Sequence, residues 1–213
     1  MTPTLLLATR NEHKAREIEA MLASWRIEPL PAAVRLPPET GETFAENALG
    51  KARAAAAATG RVALGDDSGI EADALGGAPG VRSARYAGEH ASDGDNLAKL
   101  RAAAPVGSGL AYVCALAIVD PAAGVEHVVE GRCTGRLAAE PRGDGGFGYD
   151  PVFLADDDPA GRTMAQLRPE EKAAISHRGR AVEALRDWLA GPEGAAIAAR
   201  LGAAPPPARP EER

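Results

Sequence analysis

Two adjacent carboxylates, Asp66 and Asp67, stand in Gly65-Asp66-Asp67-Ser68-Gly69, directly after the apolar run Val62-Ala63-Leu64. A carboxylate pair where a buried strand ends suits a hard cation such as Mg2+. That ion takes one or two carboxylates and fills its shell with phosphate oxygens. A carboxylate so placed can also orient or deprotonate an attacking water. The competing reading is an Asp-rich turn between two elements.

Three further segments carry chemistry. Thr9-Arg10-Asn11-Glu12-His13-Lys14 follows the apolar run Leu5 to Ala8 and opens a helical pattern. Free N–H groups at a helix start attract anions, and Lys14 in the first turn can reach a phosphate. A simple capped helix with a solvated face explains the same residues. In Gly145-Gly146-Phe147-Gly148-Tyr149-Asp150-Pro151, the glycines let backbone pass close to a ligand, and Phe147 or Tyr149 can lie against a flat base. A tight turn with two core aromatics is the alternative. In Glu170 to Arg178, three potential cations, Lys172, His177 and Arg178, gather at a helix junction with Ser176 as a cap. Lys and Arg bind phosphate, and a cation or His can donate to a base carbonyl. Taken together, the four segments supply what hydrolysis of a nucleoside triphosphate requires.

The elements that must position them are legible from periodicity. Leu5–Ala8 and Ile27–Leu30 read as strands and Glu12–Ser24 as a helix between them. Thr43, with Glu46 three residues on, forms a capping box for a helix to Thr59, which Gly60 ends. Val62–Leu64 reads as a short strand, Gly76–Gly88 as a loop and Ser92–Ala104 as a helix. Leu110–Val119 and Val125–Arg136 read as a hairpin turning at Asp120–Gly124. Val152–Leu154 follows as a strand, then helices at Glu170–Ser176 and Arg178–Ala190. Ala203–Arg213 has no apolar pattern and reads as a disordered tail. This order predicts an α/β or α+β fold with a partly antiparallel sheet.

Composition narrows the function. The chain has 213 residues, 45% hydrophobic and 25% charged, with a formal net charge of −6. That length can bury a sizeable core without a disulfide or metal staple. The negative balance and only 4% aromatic residues argue against a nucleic-acid polymer as partner, including one held by Arg82, Arg85, His177 and Arg178. No apolar run approaches a membrane span, and the N-terminus lacks a basic leader, so a cytoplasmic setting is expected. Cys114 and Cys133 read as reduced core thiols.

The segments ATRNEHKAREI, ETGETFAENALGKA, GDDSGIEADALGGAPGVRSARYAGE, GGFGYDP and EEKAAISHRGRA occur here in one order. In these motifs the chain resembles the inosine triphosphate pyrophosphatases, or XTP/dITP diphosphatases, from Leu5 to about Trp188. The resemblance implies an elongated α/β fold, with a mixed sheet flanked by helices, two lobes within one catalytic domain spanning residues 1–190, and substrate in the cleft between them. It implies a homodimer, Mg2+ dependence, and cleavage of the α–β phosphoanhydride of ITP, dITP or XTP to a monophosphate and pyrophosphate.

By match to the motifs, Thr9, Arg10, Asn11, Glu12, His13 and Lys14 would bind the triphosphate. Asp67 would be general base and metal ligand, with Glu39 as second metal ligand and Ser68 touching substrate. Phe147, Gly148, Tyr149 and Asp150 would line the base pocket, and Lys172, His177 and Arg178 would complete recognition. Lys14 and Lys172 would stabilise the pyrophosphate leaving group, and Asp66 would orient its neighbour or bind a second ion. Donors from His177, Arg178 or backbone N–H groups would pair with a 6-oxo purine and clash with a 6-amino one. Arg10 stands where relatives usually have Gly, where it adds a phosphate contact or crowds the turn. Pro38 precedes Glu39 where relatives often carry a second acid. A Maf-like pyrophosphatase and a nucleotide-binding regulator without turnover are the competing readings.

Overall fold

The computed structural model describes residues 4–23 and 25–201. Its frame is an open six-stranded mixed sheet in the order β2-β1-β3-β4-β5-β6. The strands are β1 (Thr4–Ala8), β2 (Arg26–Pro29), β3 (Ala63–Ala72), β4 (Gly109–Asp120), β5 (Val125–Leu137) and β6 (Phe153–Ala155). β1 runs parallel to β2 and β3, and the β3–β4, β4–β5 and β5–β6 pairs are antiparallel.

Helices cover both faces because the buried strand residues are apolar on both sides. Leu5, Leu7, Leu64, Cys114, Leu116 and Ile118 pack against Ile18 of α1 (Glu12–Met21) and Ala181, Val182 and Leu185 of α5 (His177–Ala190). Leu6, Ala8, Ala63, Val113, Ala115 and Ala117 pack against Phe44, Ala48, Ala52 and Ala55 of α2 (Phe44–Thr59). A third core gathers Ile70, Leu110, Tyr112, Cys133 and Phe153 with Leu100 of α3 (Asp93–Ala103). Both cysteines are free and buried, as expected.

The capping box of Thr43 and Glu46 is present, and Gly60 closes α2 in the left-handed region at φ 67°. α4 (Pro169–Ile175) runs into α5 through Ser176, whose hydroxyl accepts from Gly179 N.

Three expectations are corrected. β3 does not stop at Leu64: it continues through Gly65–Gly69 to Ala72, so the acidic pair lies within a strand rather than in a turn. The flanking glycines answer to close packing. A Cβ at Gly65 would stand 2.1 Å from the carbonyl oxygen of Ala48, and one at Gly69 2.4 Å from Ser83 Oγ. α1 ends at Met21, short of the expected Ser24, which lies outside the described residues. A further helix, α6 (Pro192–Arg200), extends the fold past residue 190 and buries Ile197 beside α5. The expected tail at 203–213 lies outside the described residues.

Candidate active site

Successive side chains of a strand point to opposite faces. Because β3 is continuous, Asp66 and Asp67 part company. Asp67 faces α2, where Lys51 Nζ donates to Oδ1 at 2.9 Å and Asn47 Nδ2 to Oδ2 at 3.2 Å. Asn47 and Lys51 are four residues apart and share one face of α2. The same ammonium donates to Glu39 Oε1 at 2.9 Å. Arg85 holds Glu39 from behind, through its carbonyl at 3.1 Å and Oε2 at 3.4 Å. The two expected metal ligands therefore lie within reach of one cation.

These neighbours set the charge states. Burial raises the pKa of Asp67, and the pull of Lys51 and Lys14 does not offset it. Glu39 goes the other way: burial is outweighed by Lys51, Lys14 and Arg85, which hold its carboxyl below the usual range.

Asp66 faces α1 and α5 and is fully buried. Lys14 Nζ stands 2.7 Å from its Oδ1, while Arg178 Nε (3.3 Å) and the Cys114 thiol (3.2 Å) donate to Oδ2. Burial alone would raise this carboxyl, yet Lys14, Arg178 and Lys51 hold it far below the ordinary carboxylate value. Asp66 is thus balanced by the protein's own cations, Lys14 and Arg178. Among the described residues no three or more His, Cys, Asp or Glu side chains are grouped to hold a metal ion.

The opening segment is a capped helix start. Asn11 Oδ1 accepts from His13 N (3.0 Å) and Lys14 N (3.1 Å), and Thr9 Oγ1 accepts from Asn11 N. Arg10 is turned toward the segment after β2. Its guanidinium donates to the carbonyls of Leu30, Pro31 and Val34, each at 2.8 Å, and ties the segment after β2 to the end of β1.

Thr9, Arg10, Asn11, Lys14, Glu39, Lys51, Asp67 and Ser68 line a cleft of about 280 Å3. Tyr112, Phe147, Gly148, Tyr149, Asp150, Lys172, His177 and Arg178 line the same cleft. Glu12 lies outside it. His13 lines an adjoining cavity and stacks on Phe147 at 5.2 Å.

The Phe147–Asp150 loop is pinned from several elements. Gly148, at φ 61°, donates its N–H to Asp93 of α3 at 2.8 Å, and the Tyr149 hydroxyl donates to Ser83 O at 2.8 Å. Tyr149 is buried, so Phe147 is the more accessible of the two aromatics. Asp150 Oδ2 accepts from Phe147 N at 2.9 Å and from Lys172 Nζ at 2.6 Å. Lys172 also pairs with Glu17 at 2.7 Å and lies 5.1 Å from the Phe147 ring centre. It is thus tied to the aromatic loop and lines the same cleft as Asp67.

Arg178 spends its guanidinium on Asp66, Glu17 and Ser68 Oγ (2.8 Å) and is 1% exposed. His177 is buried, and burial together with Arg178 and Lys172 holds it neutral, well below the ordinary His value. Its Nδ1 has no hydrogen-bond partner among the described residues. The three expected cations are therefore two cations and a neutral imidazole.

Residues 5–188 match the model of the Ham1 family. The chain belongs to the Ham1 family. It is 50% identical over 196 residues to the dITP/XTP pyrophosphatase of Mycolicibacterium paratuberculosis, covering 87% of this chain and 94% of that one. Among solved structures, a HAM1 protein from Coxiella burnetii superposes with a TM-score of 0.75 at 41% identity, covering 86% and 96% of the two chains. The nucleoside-triphosphatase / dITP/XTP pyrophosphatase of Mycobacterium abscessus does so with 0.65 at 44% identity, covering 85% and 97%. The Ham1 fold is thus shared over most of the chain.

Sequence reasoning missed Lys51, Asn47 and Arg85. Asn47 and Lys51 carried a signal: polar residues four apart on a helix face otherwise made of Ala48, Ala52 and Ala55. Arg85 gave none, because its contact with Glu39 spans 46 positions of sequence.

Proposed function

We propose that this chain is a Mg2+-dependent nucleoside-triphosphate pyrophosphatase acting on deaminated purine nucleotides, dITP, XTP and ITP. The observation that carries the reading is Asp67: a buried carboxylate with a raised pKa, bonded to Lys51 and in the field of Lys14, in a cleft that the Phe147–Asp150 loop also lines. A general base works best when its pKa rises toward the operating pH. Asp67 would take the proton of the attacking water. Lys14 and Lys51 would face the phosphates.

The donor set fits magnesium. Asp67 and Glu39 supply two carboxylates, and a two-carboxylate site is how this ion binds when phosphate oxygens complete its shell. Held there, the ion would neutralise phosphate charge as it develops. A homodimer and a cytoplasmic setting belong to the same reading. No helix among the described residues is long and apolar enough to cross a membrane.

Base selection would rest on Phe147 and His177. Phe147 offers a ring for stacking. Neutral His177 has an Nδ1 without a partner among the described residues; in the tautomer protonated there, it would donate to a 6-oxo group and leave a 6-amino group without an acceptor. Pyrophosphate release from ITP, XTP, GTP and ATP, each with Mg2+ and with EDTA, tests the proposal. Fast Mg2+-dependent release from ITP and XTP alone supports it. Release from all four keeps the chemistry and removes the account of base selection. Nucleotide binding with no release favours a regulator.

A further inference from the structure

We infer that Tyr112 is a positioning residue for base selection, acting through Asp150; the inference rests on the reading that the Phe147 side of the cleft takes the purine. Tyr112 is the fourth residue of β4, and its hydroxyl donates to Asp150 Oδ1 at 3.0 Å. Its ring is stacked between Phe153 at 4.4 Å and His177 at 4.5 Å. One side chain thus touches the loop acid and the imidazole together.

Asp150 is 2% exposed, and its other oxygen accepts from Phe147 N and Lys172 Nζ. Rotating that carboxylate would break three bonds at once. The Tyr112 hydroxyl therefore fixes the plane of Asp150, and Asp150 fixes the Phe147 backbone and the Lys172 ammonium. Burial and the nearby carboxylate hold the phenol pKa well above its ordinary value, so the proton stays on the donor. Phe at this position would fill the same space between Phe153 and His177. The hydroxyl adds orientation rather than volume.

The test is Tyr112→Phe in the full chain, with Asp150→Asn and the double variant. Steady-state kinetics on dITP, XTP, GTP and ATP are joined to calorimetric binding of a non-hydrolysable dITP analogue. In Tyr112→Phe, KM and Kd for dITP should rise about tenfold, the loss expected of a hydrogen bond to a charged group. Its kcat should hold within about twofold, and discrimination against GTP and ATP should shrink. The double variant should lose no more than Asp150→Asn alone, since both changes act on one contact. Unchanged dITP affinity and discrimination in Tyr112→Phe would overturn the inference. So would additive losses, or an equal fall in kcat on every substrate with a lowered melting point. If Tyr112→Phe does not fold, the hydroxyl is structural and the inference is wrong. A wild-type enzyme that does not discriminate among the four nucleotides would instead sink the base-pocket reading itself.

Discussion

Asp66 and Asp67 are neighbours in the chain but sit back to back across β3, and their acidities move in opposite directions: Asp66 is held far below the ordinary carboxylate pKa and Asp67 above it. Division of labour follows from the pleat. One acid is a fixed anion at the junction of α1 and α5, and the other is a less acidic carboxyl that faces α2 and lines the cleft.

Asp67→Asn keeps the volume and the Asn47 contact but removes the base. Turnover of dITP should fall about 10²–10⁴-fold, the range for a lost general base, with an unchanged circular dichroism spectrum. Near-wild-type kcat would take Asp67 out of the role.

In the metal-free protein the Asp67 carboxyl should titrate above pH 3.8, the ordinary carboxyl value, because burial outweighs the pull of Lys51 and Lys14. Lys51 opposes the rise, so Lys51→Met should raise the carboxyl further. NMR titration of the Asp67 side chain in both proteins without Mg2+ reads this; a carboxyl that titrates at or below the ordinary value, or that falls in Lys51→Met, would refute the assignment.

Asp66→Asn should cost about 3–5 kcal/mol of stability, because Lys14 and Arg178 lose their buried counter-charge. The pH dependence has a definite sign. Asp66 titrates lower in the fold than in the unfolded chain, so its stabilisation is complete above about pH 4 and drains away as pH falls below that. Urea unfolding between pH 3 and 7 should show a steeper acid loss in the wild type than in the variant. Parallel curves would mean that Asp66 is not the group responsible.

Arg10→Gly should loosen the segment after β2 without touching the Asp67 side. Amide exchange in residues 30–36 should accelerate, since three carbonyls lose their donor. Unchanged exchange there, with a raised KM for triphosphate, would restore Arg10 to the phosphate-binding role first expected of it.

The sequence made the frame readable wherever local rules sufficed. The Thr43 capping box, the Asp120–Gly124 hairpin and the Ser176 cap each depend on residues within five positions of one another. The same locality misled at Gly65–Gly69. Asp and Gly favour turns in isolation, yet here tertiary packing demands glycine inside a strand because α2 and Ser83 press on it. The candidate site was legible as a set of segments but not as a wiring diagram. Lys51 bridges Glu39 and Asp67, and Arg178 joins Glu17, Ser68 and Asp66, across separations that no periodicity records. Arg178, which looks like a surface cation in SHRGRA, proves to be among the largest fully buried side chains.

The missing carbon at Gly65 has a consequence for how variation in this enzyme would present itself. The helix bearing Asn47 and Lys51 can approach the strand bearing Asp67 only because nothing projects toward the Ala48 carbonyl. A single methyl group there would wedge the two apart and carry both partners away from the acid. In a screen scored by turnover, Gly65→Ala would pass for a lesion in the chemistry, although the altered residue would never meet a nucleotide. The spacing of Asn47, Lys51 and Asp67 is written in an atom the protein does without.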